Sequence, residues 1–149
     1  MILFADMEKA LSDALVKKRE KQARLRMAAD ELVRNYRGAL GLAEADAERV
    51  VRTGFLDAFG DHITRPVAAI EVEKDALSFI ITTSIISNPM NSFVVSVSIA
   101  MREKDELLSV QIETLSTPIL VLNEGVEDRF FEVIEAIKSV VLKKIGTLV

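Results

Sequence analysis

Few residues in this chain have the types and spacing to do chemistry. His62 is the only histidine, and it stands beside Asp61, so a general base with an orienting carboxylate is the reaction element the pair suggests. Nothing accompanies it as a nucleophile. There is no Gly-x-Ser-x-Gly elbow and no cysteine, and neighbours in sequence are not thereby within hydrogen-bond reach. A loop or capping role beside a strand is expected for His62. One imidazole and scattered acids supply neither His-x3-His spacing nor a calcium loop, so no metal is expected. The six glycines are dispersed, and none pairs with another in a strand-to-helix turn, so no phosphate cradle and no cofactor is expected. Gly38-Ala-Leu-Gly41 reads as a hinge between helices. Glu71 with Glu73, and Asp128 with Glu132, follow strand and helix-face periods, which is the pattern of solvated faces. No catalytic constellation emerges, and the expectation is a protein that is not an enzyme.

Charge offers more. Lys17, Lys18, Arg19, Lys21, Arg24 and Arg26, against Glu20 alone, give residues 17–26 a net charge of +5 in a chain whose formal net charge is −4. Lys17, Lys18, Lys21 and Arg24 are the candidate anion-binding residues, and a helix over residues 17–37 would carry them to nucleic acid phosphates. Tyr36 is the only flanking aromatic, the domain is acidic, and no DNA-reading motif follows. An exposed face, or one facing acidic surface on a neighbouring subunit, is the simpler reading. Membrane-surface binding is disfavoured because apolar residues are sparse where positive charge is densest.

The elements that must position these residues form one domain, residues 1–149, with helix over 1–60, antiparallel sheet over 66–122 and helix over 123–146. Phe4, Met7, Leu11 and Ala14 keep a helical register that resumes at Leu25, Ala28 and Leu32. Lys18 and Lys21 occupy the stripe between them, so either the helix bends away from its partner there or the stripe crosses solvent. A second helix is expected over Ala43 to Phe59, from the spacing of Ala47, Val50, Val51, Phe55 and Phe59, ending at Gly60-Asp61.

The period then changes to two. No charged residue falls between Asp75 and Arg102, and the interval reads as strands Leu77 to Ile86 and Phe93 to Met101 joined through Asn88-Pro89-Met90-Asn91. Recurrent Ser and Thr, β-branched side chains and the Asn-Pro break exclude a membrane-spanning helix, which needs about 20 mostly apolar residues. A strand Val67 to Glu73 before this hairpin and another, Leu107 to Leu115, after it complete a four-stranded meander, to which 118–122 adds a short segment. The C-terminal helix shows one apolar face from Val126 to Ile145, with Asn123 as N-cap and Gly146 as its end. The fold expected is α+β: two N-terminal helices, a four-stranded antiparallel meander, and a C-terminal amphipathic helix packed on the sheet.

The second face of the hairpin is the strongest site candidate. Opposite the apolar residues, it presents Ile80, Thr82 and Ser84 on one strand and Val94, Ser96 and Ser98 on the other, where a solvated face would carry Lys and Glu. Small hydroxyl and β-branched side chains make a flat surface for another layer. The N-terminal helices, a second subunit or a protein partner could each provide it. The function expected is a non-catalytic protein-binding or assembly module, adaptor-, chaperone- or immunity-like, and self-associating. Association with nucleic acid through the 17–37 helix is the alternative. Without cysteine or a signal-peptide pattern, the expected compartment is the cytoplasm.

Overall fold

A computed structural model describes residues 1–88, 90–113, 117–122 and 127–148. The first element is a single unbroken helix, α1 (Phe4–Ala39), about 54 Å long at 1.5 Å per residue. The Leu3 N–H donates to the Asp6 carboxylate at its start (2.7 Å), and Gly41, at φ +72°, turns the chain away after its end. The helix is unbroken through the charged interval, and its stripe passes into solvent there. Residues 1–20 are all exposed, whereas Leu25, Ala28, Ala29, Leu32, Val33 and Tyr36 are buried.

The second helix is shorter than its spacing suggests. α2 (Glu44–Val50) gives way at once to a strand, β1 (Val51–Leu56). Val51 and Phe55 are four apart, and four residues return to the same face in a strand as well as in a helix. The strand wins because Val51 and Thr53 are buried on either side of exposed Arg52, and because Gly54 admits a close backbone approach. A Cβ on Gly54 would lie 2.2 Å from the Ile63 carbonyl oxygen of β2 (His62–Thr64). The residues expected as a first meander strand form instead a 3-10 turn, Val67–Ala69, and an isolated bridge between Glu73 and Ala76. Val67 and Ile70 are buried, and the Ile70 carbonyl accepts from Arg26 (3.0 Å).

Lys74 and Asp75, both at positive φ, make a two-residue turn of the kind that suits strand twist. The long hairpin β3 (Ala76–Asn88) and β4 (Asn91–Lys104) follows, then β5 (Leu107–Ile112) and β6 (Ile119–Leu122). The sheet is antiparallel with six strands in the order β2-β1-β3-β4-β5-β6, two more than the meander expected, and β1 sits between β2 and β3. The last helix, α3 (Phe131–Leu148), runs past Gly146, which therefore does not terminate it. Asn123, Glu124 and Val126, read as its beginning, and Pro89 of the hairpin turn lie outside the described residues, as does Leu115.

Alternation along the strands decides the layers. Leu77, Phe79 and Ile81 on β3 and Val95, Val97, Ile99 and Met101 on β4 are buried on one face. Both α1, through Leu25 to Tyr36, and α3, through Val133, Ile134, Ile137 and Val141, join them in one core. The Tyr36 hydroxyl shares a buried hydrogen bond with Thr83 (2.9 Å), and burial pushes its phenol up against the effect of that bond. Phe93, which alternation places on the same face as Val95 and Val97, is 39% exposed, because the hairpin tip extends past the pairing of β1 with β3 and of β4 with β5.

Truncating Leu32→Ala in this core is expected to cost about 2–5 kcal/mol of stability. Gly54→Ala is expected to cost about 1–3 kcal/mol through the clash with the Ile63 carbonyl. Urea unfolding followed by circular dichroism measures both, and a neutral Gly54→Ala would mean that β2 does not close on β1 at that point.

Candidate functional site

With both long helices on one face, the other face of the sheet has no covering element among the described residues. The six candidates on it form three directly opposed cross-strand pairs, Ile80 with Ser98, Thr82 with Ser96 and Ser84 with Val94. Val94 is 60% exposed, Ser96 and Ser98 are exposed, and Ser84 is half-buried. Ile80 and Thr82 are buried in the floor, and Thr82 donates to the Arg52 carbonyl (3.2 Å). The face is concave rather than flat. Two hollows of about 550 and 540 Å³ lie along it and share Leu56, Ile80, Ser98 and Glu113, so they join into one trough.

The two ends of the trough differ in charge. Near the Lys74-Asp75 turn, Glu71 and Glu73 line it beside Ser78 and Ala100, with Arg65 held over the Phe55 ring (5.1 Å). Towards the hairpin tip, Arg52, His62 and Lys144 line it beside Ser84 and Val94. Glu113 stands where β5 ends. Its N–H donates to the Ser98 carbonyl (2.8 Å) and its carboxylate accepts the Ser98 N–H (2.9 Å), continuing the ladder with a side chain. Lys144 reaches from α3 to the same carboxylate (2.6 Å) and to the Ser96 carbonyl (2.5 Å). Burial pushes the Glu113 carboxyl up, but the Lys144 and Ser98 hydrogen bonds and the Lys144 charge together hold it below its ordinary value.

The anion-binding candidates do not gather. Lys17 and Lys18 are exposed on the free part of α1, Lys21 faces Asp75 (3.8 Å), and Arg24 donates twice to Glu103 (2.6 and 3.1 Å). With Arg26 on the Ile70 carbonyl, half of the basic segment fastens α1 to the turns beneath it. Tyr36 is buried and offers no stacking surface. His62 is exposed on the edge strand opposite Leu56. Among the described residues no three His, Asp or Glu side chains group as metal ligands, and no helix is long and apolar enough to cross a membrane.

Sequence reasoning missed the contribution of Arg52 and Leu56, for which the alternation of 51–56 was the available signal. It also missed the Glu113–Lys144 pair, which no local pattern announces.

The lowered Glu113 pKa has a defined consequence for stability. A carboxylate whose pKa is depressed on folding stabilises the protein above the unfolded pKa, about 4.3, and loses that effect as pH falls through the folded value. Glu113→Gln should therefore be less stable than the wild type at neutral pH, with the gap closing on acidification below about 4.3. Thermal melts across that range measure it, and a gap independent of pH would remove Lys144 as the cause. No protein-family model, curated protein or solved structure matches this chain.

Proposed function

We propose that this chain is a non-catalytic protein-binding or assembly module of the cytoplasm that self-associates through the open face of its sheet. One observation carries the reading. The two long helices pack on the same face, so the central strands β3 and β4 present an uncharged, partly apolar floor, rimmed by charged side chains, with nothing of the chain's described residues over it. An open sheet face in water ordinarily carries long charged side chains, and an apolar surface left bare marks a place of contact. The cysteine-free composition suits a reducing compartment. Association with nucleic acid is the weaker reading, because Lys21, Arg24 and Arg26 are committed to Asp75, Glu103 and Ile70.

A charge placed in the trough would be stranded on association yet solvated in the monomer. Val94→Lys with Ser96→Glu should shift the sedimenting mass of the wild type from an oligomer to a single chain. The far-UV spectrum should not change, since alternation keeps Val95 and Val97 in the core. A wild type that is monomeric at high concentration, or a double variant that keeps its oligomeric mass, would count against the reading.

A further inference from the structure

The chain has a second bare apolar surface. On the free part of α1, Phe4 is 75% exposed, and Met7, Leu11 and Leu15, on the same side of the helix, are exposed with it. Contiguous apolar surface of this extent is unusual on a soluble monomer. We infer that the open trough of each chain receives the free N-terminal helix, residues 1–20, of a second copy, in a reciprocal two-fold exchange. The inference rests on the reading of the trough as an association surface and names its occupant.

Direction is the first argument. As α1 advances from Lys21 to Tyr36, its partners on the adjoining hairpin advance from Asp75 to Thr83. Those are about 22 Å of helix and about 26 Å of strand, so α1 runs along β3. The residues before Lys21 accordingly project beyond the Lys74-Asp75 turn, which is why residues 1–20 are exposed throughout.

Facing is the second. Eighteen residues make five full turns at 3.6 residues per turn. Met7 therefore points as Leu25 does, Leu11 as Ala29, Ala14 as Leu32 and Leu15 as Val33. The latter four are buried against the sheet, so the free stripe looks towards the level of its own sheet, past the sheet's end. A second copy, rotated by 180° about an axis lying in the sheet and across the strands, continues that layer. The rotation turns its sheet over, and its open face then meets the stripe. The same operation brings its own helix beneath the first sheet. The interface closes with two copies, as an isologous contact must.

Length and charge agree with this placement. Residues 4–20 span about 25 Å of helix, and the trough from Ala76 to Ser84 spans about 26 Å of strand. The helix is net basic where it leaves its own body, with Lys17, Lys18 and Arg19 against Glu20, and net acidic farther out, with Asp6, Glu8 and Asp13 against Lys9. At the end it would enter over, the trough sets Glu71 and Glu73 against Arg65 alone, and at the far end it sets Arg52 and Lys144 against Glu113, the partner of Lys144, so the balance passes from acidic to basic. The two gradients run in complementary order, which fixes the direction of insertion.

The test uses two variants of the full chain and their mixture, with mass read by sedimentation. Met7→Glu with Leu11→Glu spoils the helix and leaves the trough intact, and both residues are exposed in the monomer, so the fold is kept. Val94→Lys with Ser96→Glu spoils the trough and leaves the helix intact. The expected result is a two-chain wild type, single-chain mass for each variant alone, and a two-chain species in the equimolar mixture, weaker than the wild type because one of its two contacts is restored. A dimeric helix variant beside a monomeric trough variant would show trough pairing with trough, which overturns the exchange and leaves the proposed function standing. A dimeric trough variant would overturn both. Two monomeric variants whose mixture stays monomeric would overturn the exchange alone, and a monomeric wild type would overturn the exchange and the self-association together.

Discussion

The burial of one face of the β3–β4 hairpin beneath two helices is the contact on which the remaining structure depends. Leu77, Phe79 and Ile81 alternate with Ser78, Ile80 and Thr82, and their partners Met101, Ile99 and Val97 stand directly opposite. Both apolar rows therefore lie on one side. A helix that buries Leu25, Leu32 and Tyr36, and another that buries Val133, Ile137 and Val141, have to come to that side. Each large side chain so buried is worth about 1.5–3 kcal/mol, far more than the serine and threonine face can offer. The bare trough is the consequence of that competition.

Polar contacts then set how the helices lie. Arg24 on Glu103, Arg26 on the Ile70 carbonyl and Lys21 near Asp75 fasten α1 at the turn end of the sheet, and Arg37 donates to the Val51 carbonyl farther along (2.8 Å). Lys138 reaches the Ala39 carbonyl (3.1 Å), joining α3 to the end of α1. Arg129 donates to Glu31 (2.7 Å) and lies over the Phe130 ring (4.7 Å). With α1 held along β3 in this way, its first twenty residues have no sheet beneath them. Their solvation as bare apolar helix costs free energy that association would recover.

Much of this was legible in the sequence where a pattern was long and unambiguous. The uncharged interval between Asp75 and Arg102 disclosed the hairpin, and alternation within it separated core from trough, so the site candidates fell into opposed pairs. The apolar face from Val133 to Val141 placed α3. What escaped had a physical reason in each case. Val51 and Phe55 share a face in either secondary structure, so their spacing does not distinguish β1 from a helix. Val67 and Ile70, three apart, bury under α1 in a 3-10 turn, where a strand was expected. The basic segment looked uniform because nothing local shows that Asp75 and Glu103 wait beneath Lys21 and Arg24. That the α1 stripe is buried after Leu25 and bare before it depends on where the sheet ends.

In the proposed exchange the trough is bare within one chain and filled by another. The chain lacks cysteine, so single thiols can report on each surface without interference. Ser96→Cys in the trough and Met7→Cys on the free helix, alkylated at increasing protein concentration, give the most direct measurement. Exchange predicts rapid modification of both in dilute solution and protection of both at higher concentration with one shared midpoint, while Val97→Cys in the core stays protected throughout. Protection of Ser96→Cys in dilute solution, or modification of both thiols at every concentration, would contradict it.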